Sequence, residues 1–183
     1  IKEEFRRITT ISLEETFMRK LDVYTPCLLQ LMRGKVGVAG SRMCLLLDTI
    51  NQSQIVEKKR DAVICCLIEY LGEKQEEVFQ DCQGEHEDHT DQTMKVLVIH
   101  NPLAEKDPAE VSVVIDGNRV LNGCGNRTKA CMLLMGLIYG LNLEYPKMFK
   151  NAFAVFQKNF LELDGAKLPR KVHSLKGNLM KCT

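Results

Sequence analysis

The strongest chemical suggestion in the chain is the four-residue turn Gly123-Cys124-Gly125-Asn126. It joins a β-type run to a long apolar helical run, so its glycines would leave backbone N–H groups free at a helix N-terminus. Such a terminus holds anions, and Lys129 adds a positive charge one turn later. The match to a phosphate loop is partial. Thr128 stands where the third glycine of GxGxxG belongs, and no Gly-Lys-Ser/Thr follows. A thiol at a helix N-terminus has a depressed pKa, so Cys124 would be a nucleophile if a base reached it. His100, ending a neighbouring strand-like run, is the histidine that would have to serve. The competing reading is structural, with both glycines allowing a tight reversal beneath a packed helix.

Two further groups carry ligand-type residues. Cys82, His86 and His89 form C-x3-H-x2-H, which are zinc-ligand types without a standard finger spacing or a supporting CxxC. They lie in an acidic stretch where, from Glu73 to Asp91, eight acids face one base, as in a solvated loop. Near the C-terminus Lys167, Arg170, Lys171, Lys176 and Lys181 follow the last acid, Asp164. These bases would suit nucleic acid or an acidic partner. No aromatic residue is interleaved for base stacking, and the same spacing describes an ordinary exposed helix face.

The composition is that of a soluble globular domain, 45% hydrophobic and 27% charged over 183 residues. A net charge of +1 exerts no overall pull toward nucleic acid or an anionic membrane. No signal peptide is recognisable, and without an initiating Met the chain reads as a segment of a longer protein. Its eight cysteines sit mostly in apolar runs and form no CxxC. They are expected to be reduced, core-filling thiols of a cytoplasmic or nuclear protein. The longest uncharged run, Ala130 to Leu143, is too short to span a bilayer, which needs about 20 residues.

The elements that must position these groups fall into an α+β pattern. Ser12 and Glu15 form a capping box for a helix from Leu13 to about Val23, and Thr25-Pro26 opens a second helix to about Arg33. Gly34, Gly37 and Gly40 make a loose connection to a third helix from near Ser41. A fourth runs from about Ile55 to Leu71 and stops at Gly72, followed by a short fifth from Glu73 to Gln80. This helical part, 1–80, leads into a polar acidic linker, 81–93. The part 94–183 then begins with strands at Met94–His100, Val111–Ile115 and Asn118–Leu121, with Asp116-Gly117 as a hairpin turn. A small antiparallel sheet of about three strands follows, sharing one core with the helices. The run from Ala130 is the central helix, facing inward through Ala130, Leu133, Leu134, Leu137, Ile138 and Leu141, with Asn126 as its N-cap. Gly136 and Gly140 give it a GxxxG surface that lets another helix approach. C-terminal helices follow from Tyr145-Pro146, carrying Phe149, Phe153, Phe156, Phe160 and Leu163, and from Leu168-Pro169, carrying Val172, Leu175 and Leu179.

The run Asp107 to Gly117, then Leu121-Asn122-Gly123-Cys124-Gly125-Asn126, Met135-Gly136-Leu137-Ile138-Tyr139, Leu141-Asn142-Leu143 and Tyr145-Pro146 resembles the C-terminal region of one group of vertebrate proteins. These are the sterile alpha motif domain-containing protein three-like proteins. Phe156-Gln157-Lys158, Phe160 to Gly165, Val63-Ile64, Cys66-Leu67-Ile68 and Tyr70-Leu71-Gly72 extend the resemblance over nearly the whole chain. It implies an intracellular module beside an interaction domain, with no catalytic residue and no cofactor to carry over. The expected function is a non-enzymatic protein-interaction or scaffolding domain with a protein partner, no membrane and no implied oligomeric state. The alternatives are a nucleic-acid-associated regulatory domain using the basic tail, and an enzyme or ligand binder at the Gly123–Asn126 turn.

Overall fold

In a computed structural model, which describes residues 1–83, 94–101, 103, 110–163 and 168–182, the chain is α+β, with helices at both ends and a four-stranded mixed sheet between them. The helices are α1 (Lys2–Thr9), α2 (Leu13–Arg33), α3 (Gly37–Gln52), α4 (Val56–Tyr70), α5 (Gln75–Val78), α6 (Arg127–Leu141), α7 (Lys150–Val155) and α8 (Arg170–Cys182). The strands are β1 (Phe79–Gln83), β2 (Met94–His100), β3 (Glu110–Ile115) and β4 (Asn118–Leu121).

The sheet has one strand more than expected and is not purely antiparallel. Residues 79–83, expected as helix end and linker, form β1 and pair in parallel with β2, Phe79 opposite Val96 and Gln83 opposite His100. Phe-Gln-Asp-Cys-Gln is too short and polar to stand out as a strand, because only its first and fourth residues are buried. The rest of the sheet is antiparallel, β2 pairing with β3 and β3 with β4. Asp116 and Gly117 turn the hairpin with φ of 48° and 74°, the left-handed pair that a two-residue turn needs.

Several helical expectations are corrected. The pieces expected on either side of Thr25-Pro26 are one continuous helix, α2. Pro26 removes the N–H that Asp22 O would accept, but Leu21, Cys27, Leu28 and Met32 are buried on both sides of it and hold the helix together. The Thr25 hydroxyl donates to Leu21 O at 2.7 Å, so this residue serves the helix interior and caps nothing. Helix α2 does start at Leu13, but Ser12 makes no side-chain cap. Gly37 and Gly40, expected in a loose connection, lie inside α3.

One cluster of buried side chains runs from Phe5 to Leu179 and joins the first helices, one face of the sheet and the last helices. Phe17 of α2 stands edge-on to Phe156 and Phe160, with ring centroids 5.3 and 5.2 Å apart. Phe149, Phe153, Phe156 and Phe160 are buried as their spacing predicts. The helix that carries them starts as a 3-10 turn and widens to a π turn at Phe156–Phe160, where Leu161 N donates to Phe156 O at 2.9 Å. Each such aromatic pair contributes about 0.5–1.5 kcal/mol beyond burial.

Helix α6 is central, but its inward face differs from the expected stripe. Cys131, Met132, Met135 and Gly136 are buried alongside Ala130, Leu134 and Ile138, whereas Leu133 and Leu137 are half-buried and Leu141 is 60% exposed. The cause is close packing at Gly136. A Cβ there would lie 2.6 Å from Ile1 Cγ2 and 2.8 Å from Leu13 Cδ2, so the chain at α1 and α2 rests directly on the α6 backbone.

Helix α8 buries Val172, Leu175 and Leu179 as expected. Its end corrects the expectation of eight reduced thiols. It brings Cys182 back to α2, where Cα atoms 6.0 Å apart are joined by a Cys27–Cys182 disulfide spanning 155 residues of sequence. Cys44, Cys65, Cys66, Cys82, Cys124 and Cys131 form no disulfide.

Candidate functional site

The Gly123–Asn126 turn builds the helix start that the sequence suggests. Cys124 N donates to Val111 O at 2.8 Å, which ties the turn to β3. Asn126 Oδ1 accepts from Lys129 N at 2.8 Å and caps α6. The anion position just inside that cap is filled from within the chain. Asp61 of α4 accepts from Arg127 N at 3.2 Å, from Thr128 N at 2.9 Å and from the buried Thr128 hydroxyl at 2.5 Å. The helix terminus therefore does hold an anion, and it is the protein's own carboxylate. Nothing in the sequence distinguishes Asp61 from any other acid on the polar side of α4, because the contact joins residues 67 positions apart.

Cys124 does not have the activated character that its position suggests. It is buried, and loss of hydration, with Glu110 nearby, pushes its thiol pKa up. Burial likewise takes Cys65 and Cys66 up to about 12 and Cys131 well above the ordinary thiol range. His100 is engaged elsewhere, its Nε2 lying 2.8 Å from Asp81 Oδ1. Asp81 also accepts from Arg127 Nη2 at 3.3 Å, and the guanidinium rests over the Phe79 ring. This Asp81–His100–Arg127 group ties β1, β2 and α6 together at one end of the sheet.

Of the candidate metal ligands, Cys82 is buried on the second face of the sheet beside Leu97, Ile99 and Val114. His86 and His89 lie outside the described residues. Among the described residues no three His, Cys, Asp or Glu side chains are grouped to hold a metal ion, and no described helix is long and apolar enough to cross a membrane.

The basic tail does not form one face. At about 100° per residue, Lys171 flanks the buried Val172–Leu175–Leu179 stripe on one side and Lys176 flanks it on the other. Arg170 and Lys181 point away from it, and Lys167 lies outside the described residues. Arg170 and Lys171 instead line a cleft of about 360 Å³ with Lys35, Ala39, Glu69 and Tyr70. Lys35 Nζ sits 4.9 Å from the centre of the Tyr70 ring. Lys171 Nζ donates to Leu71 O at 2.9 Å, crossing Gly72 where a Cβ would come within 2.6 Å of the ammonium.

Beside this cleft the chain exposes apolar side chains that sequence periodicity does not flag. Val36 is 87% exposed, Val38 76% and Leu45 75%. Val38 and Leu45 are seven residues apart and share the outer face of α3, whose inner face buries Met43, Leu47 and Ile50. Val36 and Val38 flank the cleft-lining residues Lys35 and Ala39 directly. In the sequence these valines are isolated among glycines, so they make no stripe to recognise.

A second open cleft, about 650 Å³, lies at the hairpin end of the sheet between Met94, Tyr145 and Phe149. In its lining the half-buried Tyr145 donates its hydroxyl to Gln157 Oε1 at 2.8 Å, and Gln157 Nε2 donates to Tyr139 Oη at 2.7 Å.

No family model, curated protein or solved structure matches this chain.

Proposed function

We propose that the chain is a protein-interaction domain whose docking surface is the outer face of α3 with the corner that leads into it. The carrying observation is the exposure of Val38 and Leu45 on one face of α3, with Val36 exposed just before that helix begins. Exposed apolar groups lying next to one another mark recognition surfaces on soluble domains, whereas scattered ones do not. Burying three such side chains would contribute about 1.5–3 kcal/mol each before the costs of association. The resemblance to a region that accompanies a sterile alpha motif supports the same reading. An enzymatic reading at Gly123–Asn126 has less support, since Asp61 already occupies the anion position and burial raises the Cys124 pKa.

The test compares partner capture by the wild-type chain and by V38E/L45E, both first shown to unfold at the same temperature. Both positions are exposed, so folding should be retained. Loss of a partner that persists at moderate salt for the wild-type chain supports the proposal. Equal capture by the variant counts against it.

Nucleic-acid association is the weaker alternative. It draws on Arg170 and Lys171 lining a cleft with Tyr70, but Lys176 and Lys181 do not continue that cleft as a track for a backbone.

A further inference from the structure

The cleft beside the α3 corner is basic, and its cations are held in place. Lys171 is fixed across Gly72 by its bond to Leu71 O. Lys35 is held over Tyr70. Arg170, in the first turn of α8, completes the rim and is exposed. The one carboxylate among the described lining residues, Glu69, is 4% exposed and faces other groups. Its Oε1 accepts from Gln75 N at 3.3 Å and its Oε2 lies 3.6 Å from Arg42. Among the described residues no carboxylate forms a direct ion pair with Lys35, Arg170 or Lys171; Glu73, whose oxygens accept from Asn151 N and Ala152 N, acts on Lys171 only through longer-range attraction. Three positive side chains therefore line one cleft of about 360 Å³, next in sequence to the exposed Val36 and Val38.

We infer that this cleft takes a phosphorylated serine or threonine of the partner protein, its phosphate among Lys35, Arg170 and Lys171 and its flanking apolar residues along Val36 and Val38. This rests on the docking surface proposed above and names the chemistry that surface reads. Phosphate fits better than a carboxylate because it carries nearly two charges and three acceptor oxygens, enough to engage all three cations. It fits better than a nucleic-acid backbone because, among the described residues, the positive charge gathers at one cleft and no basic groove leads from it.

The test is an amide NMR titration of the 183-residue chain. The probes are inorganic phosphate, N-acetylphosphoserine amide, N-acetylserine amide and a single-stranded RNA octamer, all at constant ionic strength. Saturable shifts are expected at Lys35, Gly72 and Arg170 with phosphate and phosphoserine, with none from serine. K35A/R170A should weaken phosphoserine binding by roughly three- to thirtyfold, the range for two partly exposed charge-assisted contacts. Lys171 is left intact because it also holds the end of α4. The milder R170Q, expected to weaken binding by about threefold, serves if the double variant does not fold. Shifts centred on other residues, equal response to serine, unchanged affinity in the variants, or tighter binding of the RNA would each overturn the inference. Capture that still depends on Val38 and Leu45 while phosphoserine fails to bind would remove this inference alone. Loss of that dependence would remove the docking surface itself.

Discussion

Replacing Asp61 with Ala removes the carboxylate that closes the N-terminus of α6. Two backbone N–H groups, of Arg127 and Thr128, lose their acceptor, and so does the Thr128 hydroxyl, which is 1% exposed. Loss of a helix-terminal acceptor costs about 0.5–2 kcal/mol. A buried hydroxyl left unsatisfied adds about 1–3 kcal/mol. The two share one carboxylate, so the expected loss is about 2–4 kcal/mol. At roughly 2–4 °C per kcal/mol for a chain of this size, melting should fall by about 5–15 °C. Urea denaturation followed by circular dichroism measures the free energy directly. Formate, a small carboxylate, should re-enter the vacated position and restore part of the loss, below about 1 kcal/mol at accessible concentrations. A variant within about 0.5 kcal/mol of wild type, with no response to formate, would refute the assignment of Asp61 as the resident anion of this helix.

Other expectations follow from the same packing. Gly136→Ala should destabilise by about 1–2 kcal/mol, because its Cβ would strike the buried Leu13, an overpacking cost that exceeds the helix-propensity gain. Gly140→Ala, whose Cβ would meet only Glu4 Cγ at an ordinary 3.9 Å, should be neutral or stabilising by up to about 1 kcal/mol. Thermal melts of the two variants that moved in the same direction would contradict the close approach at Gly136. Cys182→Ser should cost about 2–5 kcal/mol by opening the 155-residue loop, and a native protein in which Cys27 and Cys182 both alkylate without reductant would contradict the bond. Native alkylation at pH 8 should mark Cys44, the exposed free thiol, well before Cys65, Cys66, Cys124 or Cys131, whose pKa values burial raises. Peptide mapping that found Cys124 modified as fast as Cys44 would restore the thiol chemistry argued against above.

Where local signals are strong, the sequence predicts the fold closely. The Phe149–Phe160 stripe, the Val172–Leu175–Leu179 face, the Asp116-Gly117 hairpin and the Asn126 cap each depend on neighbours within a few residues. Where partners are distant, it misleads. Strand β1 exists because β2 offers a parallel edge, and Pro26 is tolerated because packing on both sides outweighs one lost hydrogen bond. The candidate turn illustrates both cases. Its helix start is legible in Gly123–Asn126, but Asp61, which occupies it, belongs to a different helix. The basic cleft is half legible. Arg170 and Lys171 stand out in a tail that lacks acids, whereas Lys35 and Tyr70 join them only through the packing of α2, α4 and α8.

The most direct test of the docking surface is site-specific photo-crosslinking from position 45, with the exposed position 3 on α1 as control. The account predicts that residue 45 gives one discrete adduct with a heterologous protein, that V38E abolishes it, and that residue 3 does not give it. No adduct from position 45, or the same adducts from both positions, would contradict it.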